Sequence, residues 1–200
     1  MQIIIKATDQ QYAILVNKFN GNHLIQRYCS STEPIPHADL YIDACFEEEG
    51  PSFNLIKDKP VLVNAVSIIS AEMPSNFVRF NGWGGFISQP TLEIAGNEQA
   101  ISQVKTLLSA AEINTVVSAD EIGMIGPRVV SMMINEAFFT LNEEVSTMDE
   151  IDTAMKLGTN YPYGPFEWSN LIGINNIAYL LKKLAETNER YTIAPALKLN

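Results

Sequence analysis

Few side chains in these 200 residues are equipped for chemistry at neutral pH, and they are scattered. An imidazole titrates where a proton shuttle needs to, but His23 and His37, the two histidines, both read as surface or packing residues. Cys29 and Cys45 are too few and too unpatterned for a disulfide framework or a zinc site, so they are expected to be reduced thiols of the core and no metal is expected. Glu93 could serve as an acid or base if a cleft perturbed it, or be a buried or edge carboxylate kept by a local hydrogen bond. Asn81 precedes Gly82-Trp83-Gly84-Gly85 and could hydrogen-bond a ligand, although a glycine-rich turn needs none to explain it. Glu47-Glu48-Glu49 ahead of Gly50-Pro51 has the composition of a solvated turn.

The elements that must position these residues come in two styles. Up to about residue 121 the chain alternates short apolar runs with helical stretches. Strands are expected at Ile3-Ile4-Ile5, His23 to Tyr28, Leu40 to Phe46, Pro60 to Asn64 and Phe77 to Phe80, and helices over Gln10 to Phe19 and Glu98 to Ala110. Thr91 to Ala95 and Thr115 to Ser118 complete the strand set. The earlier runs are apolar enough to be buried on both faces, which implies crossovers and a mainly parallel sheet. From residue 122 the pattern is helical. Val130, Ile134, Phe138, Leu141 and Val145 step along one face after Pro127, and Met132, Met133, Ala137 and Phe139 widen that face. Such a helix should be covered on two sides, by its own domain and by a second subunit. Thr147-Met148-Asp149-Glu150 is a capping box opening a helix expected to close at Gly158. Gly164-Pro165 starts a third helix ending at Gly173, and Asn175 to Glu186 forms a fourth. The expected fold is thus an α/β domain, 1–121, followed by an all-α domain, 122–200.

Composition narrows the partners. The chain is 46% hydrophobic and 18% charged, enough to bury a core of the usual size. Thirteen basic against twenty-three acidic residues leave a net charge of −10, so no nucleic-acid partner is expected. No apolar stretch approaches the roughly 20 residues that cross a bilayer. The start, Met-Gln-Ile-Ile-Ile-Lys, lacks the apolar core of a secretory signal, which points to a cytoplasmic protein.

Ile151-Asp152-Thr153-Ala154-Met155-Lys156-Leu157-Gly158, then Tyr161-Pro162-Tyr163-Gly164-Pro165-Phe166-Glu167 and Leu171-Ile172-Gly173, resemble the C-terminal helical domain of 3-hydroxyacyl-CoA dehydrogenases. Asn135-Glu136-Ala137, Arg190-Tyr191 and Pro195 extend the resemblance over nearly all of 120–200. It implies a homodimer made through these helices and one wall of an acyl-CoA cleft. The first half is similar to the family's dinucleotide domain through Ala38 to Ala44, Asn64 to Ser67 and Leu92-Glu93-Ile94, in a shortened Rossmann-like form.

Several positions depart from the family. The family's first βα turn carries G-x-G-x-x-G so that backbone can meet a pyrophosphate; here it reads Lys6-Ala7-Thr8-Asp9-Gln10-Gln11. The second strand ends Gln26-Arg27-Tyr28 where an acid should hold the ribose. The family's catalytic histidine falls on Asn81, its glutamate partner on Glu93, its serine on or beside Val66 and Ser67, and its asparagine on Pro127. Glu47 falls on an acidic position near the family's cofactor cleft. The family's helical insertion before Ala38 is missing. The resemblance implies NAD as cofactor; these departures make none expected. Three functions follow: a dimeric acyl-CoA-binding or regulatory pseudoenzyme, an active NAD-dependent dehydrogenase, or an interaction module pairing with a full-length relative.

Overall fold

A computed structural model describes residues 1–19, 21–29 and 34–197. The chain forms two compact units, 1–82 with 86–124, and 83–85 with 125–200.

The first unit runs β1 (Gln2–Lys6), α1 (Asp9–Lys18), β2 (Leu24–Arg27), β3 (Leu40–Asp43), α2 (Phe46–Glu49), β4 (Val61–Asn64), β5 (Phe77–Phe80), β6 (Thr91–Gly96), α3 (Glu98–Ala110) and β7 (Asn114–Val117). The strands make one sheet in the order β2-β1-β3-β4-β5-β6-β7. Every neighbouring pair is parallel except β5 with β6. Alternation along each strand sorts side chains between the two faces. Ile3, Ile5, Ile42, Leu62, Val78 and Ile94 join Leu15 of α1 and Val104 and Leu108 of α3 in one core. Ile4, Tyr41, Val63 and Phe77 join Phe46 and Phe53 in the other. Each such buried side chain contributes about 1.5–3 kcal/mol.

Burial on both faces holds for β3, β4 and β5 and fails for β2, where Leu24 is 74% exposed. β2 ends the sheet, so only one flank has a neighbour. The expected strand Leu40 to Phe46 stops at Asp43, and Phe46 instead opens α2.

The second unit holds α4 (Gly126–Asn142), α5 (Met148–Thr159), α6 (Pro165–Ile172) and α7 (Ile174–Ala185), closed by 3-10 turns at Glu189–Tyr191 and Pro195–Leu197. α4 packs on α6, α7 and the last turn, while α5 packs on α6. Val130, Ile134 and Phe138 are buried as the spacing requires, but α4 ends at Asn142 and Val145 lies beyond it, 68% exposed. The Thr147–Glu150 box forms: the Glu150 N–H donates to Thr147 Oγ1, and the Thr147 N–H donates to Glu150 Oε2. α5 passes through Gly158 and ends on Asn160 at φ 57, a left-handed position that asparagine tolerates.

Asp152 explains how α6 begins. Its Oδ1 accepts the Phe166 N–H at 2.8 Å and its Oδ2 the Glu167 N–H at 3.1 Å, so a carboxyl on α5 serves the first amides of α6. A Cβ on Gly164 would lie 2.3 Å from that carboxyl, which demands glycine. Asn135 ties the chain end to α4, donating to the Thr192 carbonyl and accepting from the Ala194 N–H.

Candidate functional site

In open α/β sheets ligands settle outside the carboxyl ends of the strands, where the strand order changes direction. Here that place lies between β1 and β3. Over it is a cavity of about 540 Å³ whose wall includes Lys6, Tyr28, Cys29, Glu49 and Ser52. Lys6 Nζ pairs with Glu49 Oε2 at 2.8 Å, and that hydrogen bond holds the lysine above and the glutamate below their ordinary values. Asp43 closes β3, is almost wholly buried, and accepts the Cys45 N–H at 3.3 Å and the Ser52 N–H at 2.8 Å. Burial pushes its carboxyl up to about 6 in spite of those hydrogen bonds. Burial likewise pushes the Cys45 thiol up to about 11.

The turn from β1 into α1 is occupied by its own side chains. The Thr8 N–H donates to Gln11 Oε1 at 3.1 Å and the Gln11 N–H to Thr8 Oγ1 at 3.3 Å, while Gln11 Nε2 reaches the Ala44 carbonyl. Arg27, at the end of β2, donates through Nη1 to Asp9 Oδ1 at 2.6 Å and through Nη2 to the Ala7 carbonyl, with its guanidinium over the Tyr12 ring. Residues 30–33, within the shortened stretch before Ala38, lie outside the described residues.

Farther along the same edge, Asn64 closes β4, donating to the Ala44 carbonyl and accepting the Gly82 N–H at 3.0 Å. A Cβ on Gly82 would meet Asn64 at 2.7 Å, so the turn after Asn81 cannot carry a side chain there. Asn81 and Glu93 do come together: the Asn81 N–H donates to the Glu93 carbonyl at 3.0 Å, and Asn81 Nδ2 lies 3.4 Å from Glu93 Oε2. Adjacent strands β5 and β6 place them side by side. Ser67 is buried, and its N–H donates to Glu47 Oε1 at 2.5 Å. Glu47 is therefore no part of a solvated turn: it is half-buried, whereas Glu48 and Glu49 are exposed. Its carboxyl is raised by burial, offset in part by hydrogen bonds from the Ser67 and Val66 amides.

Arg79 is the residue that the sequence reading missed. It sits fully buried in β5. Nε donates to the Ala65 carbonyl at 2.9 Å, Nη2 to the Val66 carbonyl at 3.0 Å, and Nη1 to Asp120 Oδ1 at 2.7 Å. Burial acts to raise the Asp120 carboxyl, but hydrogen bonds from Ser70 and Arg79 outweigh it and leave it below its ordinary value. A cation inside an otherwise apolar strand was the available signal, because a buried charge requires a partner.

Of the remaining candidates, only the pair of core thiols is redrawn. Cys45 is buried but Cys29 is exposed, so only one thiol belongs to the core. His37 is exposed and His23 half-buried. Pro127 falls in the first turn of α4, in the helical unit. Gly84 and Gly85 pack within that unit too: a Cβ on Gly84 would meet the Leu171 carbonyl at 2.0 Å, and Gly85, at φ 83, faces the Trp168 ring. Their absence of side chains therefore serves packing against α6. Among the described residues no group of three His, Cys, Asp or Glu could hold a metal ion, and no helix is long and apolar enough to cross a membrane.

Residues 123–199 match the family described as 3-hydroxyacyl-CoA dehydrogenase, C-terminal domain. The 3-hydroxyadipyl-CoA dehydrogenase of Escherichia coli K12 is 47% identical over 75 residues, covering 36% of this chain and 16% of that protein. A 3-hydroxybutyryl-CoA dehydrogenase of Bradyrhizobium diazoefficiens is 25% identical over 185 residues, covering 82% of this chain and 63% of that protein. The chain thus spans less than two thirds of the length of these two curated relatives. The crystal structure of the (S)-3-hydroxybutyryl-CoA dehydrogenase of Ralstonia eutropha shares the fold, with a TM-score of 0.76 at 16% identity over 98% of this chain and 91% of that one.

Proposed function

We propose that this chain, which belongs to the 3-hydroxyacyl-CoA dehydrogenase family through residues 123–199, is a dimeric acyl-CoA-binding or regulatory member that does not carry out hydride transfer. The observation that carries the reading is the Asp9–Arg27 ion pair, which spans from the first βα turn to the end of β2. A dinucleotide would bring its pyrophosphate to that turn and its ribose to that strand end. It would meet the exposed carboxylate of Asp9 where glycine backbone is needed. It would also meet a guanidinium, already engaged, where an acid is needed. The Thr8–Gln11 box already serves the Gln11 N–H of α1. The residues present do not fit NAD.

Asn81 supports the same reading. Removing the hydroxyl proton of an alcohol calls for a base near neutral pKa, and general base help is worth roughly 10²–10⁴ in rate. A carboxamide beside Glu93 can hold a carbonyl or hydroxyl but cannot take its proton. What remains suits recognition rather than turnover. The exposed apolar residues Ile125 and Val129 at the start of α4 support a second copy as partner.

Titration with acetoacetyl-CoA and with NADH, followed by melting temperature and nicotinamide fluorescence, tests this. Stabilisation by the thioester alone is expected. NADH binding with oxidation at ordinary enzymatic speed would mean an active dehydrogenase, and silence to both would favour an interaction module. Light scattering should return a dimer of the 22.2 kDa chain, and a monomer would count against self-pairing.

A further inference from the structure

We propose that the backbone N–H groups of Val66 and Ser67 form a hole for a small carboxylate, and that the chain's own Glu47 sits in this hole as a removable plug. The argument starts from the peptide group. In a trans peptide the C=O of one residue and the N–H of the next point in opposite directions, and no peptide here is cis among the described residues. Arg79 draws two consecutive carbonyls to itself, Ala65 through Nε and Val66 through Nη2. The amides on the far side of those two peptides belong to Val66 and Ser67. They are turned away from the guanidinium; the Ser67 N–H donates to Glu47 Oε1 at 2.5 Å, and the Val66 amide also favours the charged form of that carboxyl.

Two adjacent peptide dipoles are thus held between a buried cation and a carboxyl. Paired backbone donors aimed at one point are the general construction of an oxyanion or carboxylate site. Three things make this pair a fixed feature rather than a passing turn. Arg79 is fully buried, and its planar guanidinium presents its donors in a fixed fork. Its other nitrogen is anchored on Asp120, itself held by the Ser70 N–H. The Val66 carbonyl also accepts the Gly123 N–H at 2.8 Å, which locks the second peptide.

The occupant is less firmly held than the hole. Glu47 reaches in from the first turn of the four-residue α2, next to the exposed Glu48 and Glu49. Burial disfavours its charge more than the amides and the Arg79 charge favour it. A side chain so placed can swing out, leaving two polarised N–H groups for an external carboxylate of acetate size. This inference stands on the contacts around Arg79 and Glu47 and is independent of whether a thioester or a dinucleotide binds.

Glu47→Ala removes the plug and leaves the donors. In that variant acetate should cause saturable shifts of the Val66 and Ser67 amide resonances and raise the melting temperature, while acetamide at equal concentration does neither. The unaltered chain should respond to acetate only at higher concentration, because Glu47 competes for the same donors, and not to acetamide. Silence of the variant to acetate, an equal response of the unaltered chain, or an equal response to acetamide would each overturn the proposal. Should the alanine variant fail to fold, Glu47→Gln keeps the length and one acceptor oxygen. Its Ser67 amide proton should then move upfield, as a neutral acceptor replaces a charged one, and an unmoved resonance would overturn the proposal equally.

Discussion

Replacing Asp152 by alanine removes the α5 carboxyl that accepts the first amides of α6. Two backbone N–H groups lose their acceptor, Phe166 at 2.8 Å and Glu167 at 3.1 Å, at a site only 9% exposed. A helix cap exchanged for alanine costs about 0.5–2 kcal/mol. Hydrogen bonds to a charged group contribute about 1.5–3 kcal/mol each, and little water can reach this site to replace them. The two contributions overlap, so the expected loss is about 3 kcal/mol. Asp152→Asn keeps one acceptor and the side-chain volume, and should lose about half of that. Both tryptophans of the chain, Trp83 and Trp168, belong to the helical unit. Their fluorescence during urea denaturation therefore follows the unit in which the cap sits. The ordering is the discriminating result. If alanine and asparagine variants lose equally, or if the alanine variant loses less than about 1 kcal/mol, the capping argument fails.

The remaining expectations follow from the same contacts. Asp43 is raised to about 6 from an unfolded value near 3.8, so the stability that it contributes is present below pH 4 and is lost as the pH rises through 6. Relative to Asp43→Asn, the unaltered protein should lose about 3 kcal/mol between pH 4 and 7, and a pH-independent difference in urea denaturation would refute this. Two glycine substitutions should act in opposite directions. Gly84→Ala forces a methyl to 2.0 Å from the Leu171 carbonyl and should destabilise by about 1–3 kcal/mol. Gly158→Ala, in the last turn of α5 with nothing within 4 Å, should stabilise by about 0.5–1 kcal/mol; the two melting temperatures decide. Iodoacetamide at pH 8 should modify the exposed Cys29 quickly and spare the buried Cys45, as peptide mapping would show.

The elements were largely legible because local rules govern them. α3 runs from Glu98 to Ala110 as its apolar period requires, and α5 opens on its Thr147 box. Boundaries slipped where two local signals competed. Asn160 ended α5 in place of Gly158, and Phe46 opened a helix rather than extending a strand, because Asp43 turns the chain to meet the Ser52 amide. The candidate site was legible only in part. Asn81 and Glu93 were paired from the resemblance, and the register of β5 with β6 brings them together. The sequence leaves Glu47 open between a solvated turn and an acidic position near the family's cofactor cleft, because nothing near it in sequence marks the Ser67 amide as its partner.

By itself, then, the order of residues determined the alternation of strand and helix, the helical second half and its caps, since these depend on neighbours within about four positions along the chain. The tertiary structure alone decided where charge is stored. Arg79 meets Asp120 across 41 residues, Glu47 meets Ser67 across 20, and Asp9 meets Arg27 across 18. Such pairings are set by which strand lies beside which in the sheet, and strand order is a property of the assembled core rather than of any segment in it.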